Sequence, residues 1–121
     1  MSNAVASRIA AALGFLAVAL GAFGAHGLKD LLAQNGTTGI WEKAVFYHFI
    51  HAVVLFVLAG RKEFSRLASW SFLLGILLFS GSLYLLAVTN IRWLGAITPA
   101  GGICLLVGWG TLIFCPRINR Q

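Results

Sequence analysis

The chain has 121 residues, 60% of them hydrophobic and only 10% charged, with a mean hydropathy of +0.90. Soluble domains carry roughly 25% charged residues, so this composition excludes an ordinary water-soluble globule. The net charge of +6 is scattered between apolar runs rather than gathered in one basic domain, and no nucleic-acid partner is expected.

Four apolar runs follow one another: Ile9 to Leu28, Ala44 to Gly60, Leu67 to Val88 and Trp93 to Cys115. Each is close to the roughly 20 helical residues that cross a hydrocarbon core of about 30 Å. The runs are continuous, not alternating about every second residue, which favours helices over barrel strands. The sequence thus predicts an all-α membrane protein. Residues 1–121 form a single four-transmembrane-helix bundle, with helices at about 9–28, 44–60, 67–88 and 93–115, short loops and a short amphipathic segment after helix 1.

The first run ends in "GAFGAHG". Glycine costs a soluble helix about 1 kcal/mol per residue, but in a bilayer small side chains let helices approach closely. Ala10, Gly14, Ala17, Gly21 and Ala25 recur as one stripe, and with Gly24 they form the predicted packing face. No strand precedes these glycines, so they make no dinucleotide-binding turn. Arg8 ahead of the run and the small residues Ala22 and Gly24 also fit a secretory leader. Cleavage there would leave an odd number of helices, and the run is read as a retained span.

Lys29 to Ile40, "KDLLAQNGTTGI", reads as the amphipathic piece, with Leu28, Leu31 and Leu32 in the interface and Asn35–Gly36 closing the turn. Asn35-Gly36-Thr37 matches a glycosylation sequon, which matters only in a eukaryotic secretory setting. On the second helix Ala44, Tyr47, His48 and His51 fall within an arc of about 100°. One face therefore carries a phenol and two imidazoles. Counting about 1.5 Å per residue from inner boundaries near residues 9, 61, 67 and 115 puts His51 close to the midplane. Glu42 reads as a solvated interfacial charge beside Lys43 or Lys29.

On the third helix Ala68, Ser71, Gly75 and Ser82 make a looser small-residue stripe. The fourth repeats the device with Ala100, Cys104, Gly108, Thr111 and Cys115, and Gly101 and Gly102 add to its packing face. Pro99 removes a backbone N–H and predicts a kink with a freed carbonyl. Cys104 and Cys115 lie about 16 Å apart on one helix, too far for a disulfide. Without metal-ligand spacing they read as packing residues, and neither a metal nor a cofactor is expected.

Arg8, Arg61, Lys62, Arg66, Arg117 and Arg120 sit at one set of helix ends, and Lys29, Lys43 and Arg92 at the other. This bias predicts cytoplasmic termini, with Trp41 and Trp93 at the outer interface. By depth, His26, Tyr47, Ser80, Ser82, Tyr84, Thr98 and Pro99 all fall in the outer half. Intramembrane polar groups usually face the bundle or a cavity. These residues and His51 are therefore the candidate ligand- or partner-binding set, with His26, Tyr47, His51, Ser82 and Tyr84 expected to share one polar cavity.

Three segments carry a family resemblance: "LGAFGAHGL" at 20–28, "FSGSLYLLAV" at 79–88 and "TPAGGICLLVGW" at 98–109. With Tyr47 and His51 as a Tyr-x-x-x-His element, the whole chain resembles the YgdD/YwdK-type small bacterial membrane proteins of unknown function, relatives of the transmembrane protein 256 group. His48 is not part of that pattern. The resemblance implies a four-helix, multi-pass inner-membrane protein and no established activity.

The reading that follows is a non-enzymatic module. It would bind a lipid, a quinone-like molecule or a partner helix, whether a second copy or another membrane protein, through the outer-half polar cluster. The alternative is a small proton-linked transporter or channel, with His51 as the proton-linked group and the Pro99 break as a hinge. Haem ligation by His26 and His51 is disfavoured by a depth difference of about 10 Å. No nucleophile–base–orienter set, paired carboxylates or phosphate loop points to an enzyme.

Overall fold

The computed structural model describes residues 1–63 and 65–114, so Cys115, Arg117 and Arg120 lie outside the described residues. Ser2 opens α1 (Asn3–Ala25) by accepting a hydrogen bond from the Val5 N–H at 3.2 Å. A side-chain oxygen at this position satisfies one of the amides that a helix start leaves unpaired. The helix therefore begins at residue 3, ahead of the apolar run at 9. The Asn3 amide donates to the Ala59 and Arg61 carbonyls at 3.1 and 3.0 Å, tying the start of α1 to the end of the next span.

A short α2 (Lys29–Asn35) follows and stops at Gly36, whose φ of 69° is a left-handed conformation glycine adopts without strain. The next helix, α3 (Thr38–Ala59), starts at 38 rather than at Ala44. The polar prelude "TGIWEK" thus belongs to the span. The third span runs from Arg66 to Thr89 as α4 (Arg66–Gly75), a π turn (Ile76–Ser80) and α5 (Gly81–Thr89). Ser65 caps it through the Ala68 N–H at 3.2 Å. A 3-10 turn (Arg92–Ala96) then leads into α6 (Thr98–Phe114).

Pro99 differs from expectation. It stands in the first turn of α6, where a missing N–H costs nothing because no intrahelical partner exists for it. It starts a helix and kinks none. Among the described residues, Asn3–Ala25, Thr38–Ala59, Arg66–Thr89 and Arg92–Phe114 are four helices long and apolar enough to cross a membrane.

Three apolar clusters join these spans. Ala10 and Leu13 of α1 meet Ala52 and Leu55 of α3 and Ile76 of the π turn. Leu58 of α3 meets Ala68 and Phe72 of α4 and Leu105 of α6. Leu32, Trp41 and Ala87 join α2, α3 and α5. Large apolar side chains such as Phe15, Phe46, Leu106 and Phe114 point outward, as helices facing lipid require.

Glycine makes the closest helix approaches at Gly24, Gly75, Gly101 and Gly108. There a Cβ would overlap Trp41, Leu105, the backbone at Phe79 and the Phe72 ring respectively. Gly21 is tighter than ordinary packing, with a Cβ 3.3 Å from Val45. Gly14 and Gly102 were expected on packing faces and are not: nothing lies within 4 Å of a Cβ at 14, and only the Phe79 ring at 3.9 Å at 102. The buried stripe of α1 runs Ala6, Ala10, Leu13, Ala17, Gly24, which leaves Gly14 and Ala25 on its flank. On α6 the buried positions are Gly101, Leu105 and Gly108, one residue round from Ala100 and Cys104.

Candidate functional site

The polar residues of the spans form separate pairs instead of one shared cavity. His51 is 6% exposed, and both of its ring nitrogens are engaged. The Trp109 N–H lies 3.1 Å from Nε2, and the Tyr47 carbonyl lies 2.7 Å from Nδ1. An indole N–H only donates, so Nε2 must accept and Nδ1 must carry the proton it donates to Tyr47. The network thus assigns a neutral imidazole with no valence to spare. Phe72 packs edge-on against the Trp109 ring, with centroids 5.4 Å apart.

One turn away, His48 is more deeply buried, at 3% exposed. Its Nδ1 is 2.8 Å from the Tyr84 hydroxyl of α5. Nε2 is buried with no hydrogen-bond partner among the described residues. Tyr84 in turn meets the Trp41 ring edge-on at 4.8 Å. His48, which lies outside the family pattern, is therefore the histidine that joins α3 to α5. Trp109 was missed as well: an aromatic at the far end of α6 carries no sign in the sequence that it reaches α3.

The hydroxyls fall into their own contacts. Ser80, the last residue of the π turn, donates to the Ala44 carbonyl of α3 at 2.8 Å. Ser82 is 2.7 Å from Thr98, joining α5 to the start of α6. His26 caps the end of α1 with an exposed side chain. Tyr47 is half-exposed and stacks with His51 and Phe79. Neither His26 nor Tyr47 shares a polar space with Tyr84.

The loop after α2 is more structural than it reads. The Asn35 amide donates to the Ala87 and Val88 carbonyls at 3.1 and 3.2 Å, and the buried Thr37 hydroxyl reaches Ala87 at 2.7 Å. These are carbonyls at the end of α5 that the helix itself leaves unpaired. The sequon asparagine is thus engaged as a cap.

A sizeable concavity lies elsewhere, between α1 and α3, with a volume of about 640 Å³. Ligand pockets typically span about 300–1,000 Å³. Ala17, Gly21 and Gly24 keep the α1 wall low, while Val45, Phe46, Phe49 and Ile50 build the α3 wall. Because α1 and α3 run antiparallel, Lys29, Thr38 and Glu42 gather at one end of the groove. Among the described residues, no group of three His, Cys, Asp or Glu could hold a metal ion.

The fold and these contacts define a small multi-pass membrane protein held together by short polar links between spans. The family model "Protein of unknown function (DUF423)" matches residues 20–102, and the chain belongs to that family. It is 46% identical over 102 residues to a UPF0382 membrane protein of Staphylococcus epidermidis, covering 81% of this chain and 83% of that one. Identity to the UPF0382 membrane protein YwdK of Bacillus subtilis is 46% over 100 residues, with 78% and 80% coverage. For a UPF0382 membrane protein of Haemophilus influenzae it is 41% over 105 residues, with 84% of each covered. No solved structure matches.

Proposed function

We propose that this protein is a non-enzymatic membrane module that holds a lipid acyl chain in the groove between α1 and α3. The observation that carries this reading is the groove itself: apolar along its length, polar at one end, and bordered on α1 by the small residues Ala17, Gly21, Gly24 and Ala25. Its α3 wall runs from Thr38 to Ile50, about 18 Å at 1.5 Å per residue. That is close to one leaflet of a hydrocarbon core about 30 Å thick. The placement of Lys and Arg supports cytoplasmic termini in an inner membrane. The polar end of the groove then faces the outer surface.

The test is native mass spectrometry of the gently purified protein. A retained lipid is expected, and Ala25→Trp, at an exposed position lining the groove, should abolish retention without lowering the thermal midpoint. Equal retention by the two proteins refutes the reading, as does a bound quinone in place of lipid.

A second reading, a proton-linked transporter or channel, draws on His48. A buried imidazole with one unpaired nitrogen sits on the helix facing the π turn, and π turns recur at functional sites. Proteoliposomes would then acidify under an imposed potential, and His48→Leu would stop it.

A further inference from the structure

The polar end of the groove holds one cation and one anion, Lys29 and Glu42, both exposed and both lining the same concavity. Their neighbours Asp30 and Lys43 carry the opposite charges and do not line it. The four side chains sum to zero, so the groove mouth itself offers an anionic lipid little net charge. What it offers is placement: an ammonium and a carboxylate that both line the mouth of an acyl-chain groove. Thr38 adds a hydroxyl to the same lining, and the buried Trp41 supplies an aromatic wall.

We infer that the groove selects a phospholipid whose headgroup carries both a phosphate and an ammonium, Lys29 meeting the phosphate and Glu42 the ammonium. The inference rests on the acyl-chain reading of the groove. A purely anionic headgroup satisfies Lys29 but meets Glu42 with like charge. A diacylglycerol satisfies neither. Arg92 sits at the same end of the bundle but is directed to the Asn35 carbonyl at 3.4 Å, leaving Lys29 as the cation that lines the groove.

The experiment uses the full chain in nanodiscs of equal phosphatidylethanolamine, phosphatidylglycerol and diacylglycerol, with bound lipid read by native mass spectrometry after release. Enrichment of phosphatidylethanolamine over phosphatidylglycerol by about two- to fivefold is expected, the range of a solvent-exposed ion pair. Glu42→Gln should erase that preference while total lipid stays constant. Lys29→Gln should lower both phospholipids relative to diacylglycerol. Unchanged thermal midpoints show that the exposed substitutions leave the fold intact. If wild type retains the three lipids equally and Ala25→Trp still abolishes retention, the headgroup inference is wrong and the groove reading stands. If no lipid is retained, or a second copy of the chain cross-links across Val18, both fall together.

Discussion

The Trp41 indole lies over Gly24, where a Cβ would overlap its five-membered ring, and donates its N–H to the Leu20 carbonyl at 3.0 Å. One tryptophan thereby joins α3 to α1, walls the groove and meets Tyr84 on its other side. Gly24→Ala should destabilise the bundle by about 1–3 kcal/mol, because the rigid ring cannot move aside without losing its hydrogen bond. Gly14→Ala, with open space around it, should leave the thermal midpoint in detergent essentially unchanged. Equal shifts for the two variants would contradict this account of the α1 face.

Trp109 and His51 form a second cross-span link. Removing either partner should cost about 0.6 kcal/mol and at most about 1.7, the range found for hydrogen bonds between membrane helices. Trp109→Phe keeps the ring and removes only the donor. Combined with His51→Leu, its effect should be less than additive, since the hydrogen bond can be lost only once. Strict additivity in the unfolding free energies would show that the bond does not form.

Asn35 and Thr37 cap α5 from the end of α2 and the turn after it, 52 and 50 residues from Ala87 in sequence. Thr37→Val should cost about 1 kcal/mol by removing a buried hydrogen bond, the Asn35 amide remaining on the Ala87 carbonyl. Hydrogen exchange should rise in the peptide spanning 87–92. Ser2→Ala, which uncaps α1 at the opposite end, should leave that peptide protected, and increased exchange there would contradict the assignment.

Topology is tested by thiol labelling after Cys104 and Cys115 are changed to serine. A cysteine at 36 should react with an impermeant reagent in intact cells, while one at 2 should not. The reverse pattern would place the groove's polar end in the cytoplasm.

How far the chain could be read from its residues differs by level. Four spans were legible because bilayer thickness sets span length and hydropathy is a local property. Gly36 as the end of α2 was legible for a similar reason: a left-handed turn demands glycine at that position. Ends set by caps were less so. Ser2 extends α1 to residue 3 and "TGIWEK" extends α3 to residue 38, both beyond the apolar runs. Of the arc read as Ala44, Tyr47, His48 and His51, three residues share the buried face of α3, since 3.6 residues per turn fixes which side chains align, while Tyr47 at its edge is exposed.

What that face meets was not visible. His51 finds Trp109, His48 finds Tyr84, and Ser80 finds the Ala44 carbonyl through a π turn that no local residue announces. Shared depth put these groups at one level of the bilayer, but depth carries no information about rotation. A single residue of angular offset separates Gly101 from Ala100, and buried face from lipid face. The sequence by itself determined how many helices cross the membrane and which residues each has to offer, because helix geometry and hydropathy are settled within one segment. Only tertiary packing decided which offers were taken up, and left Lys29 and Glu42 together at the mouth of a groove, because pairing depends on how each helix is turned against its neighbour.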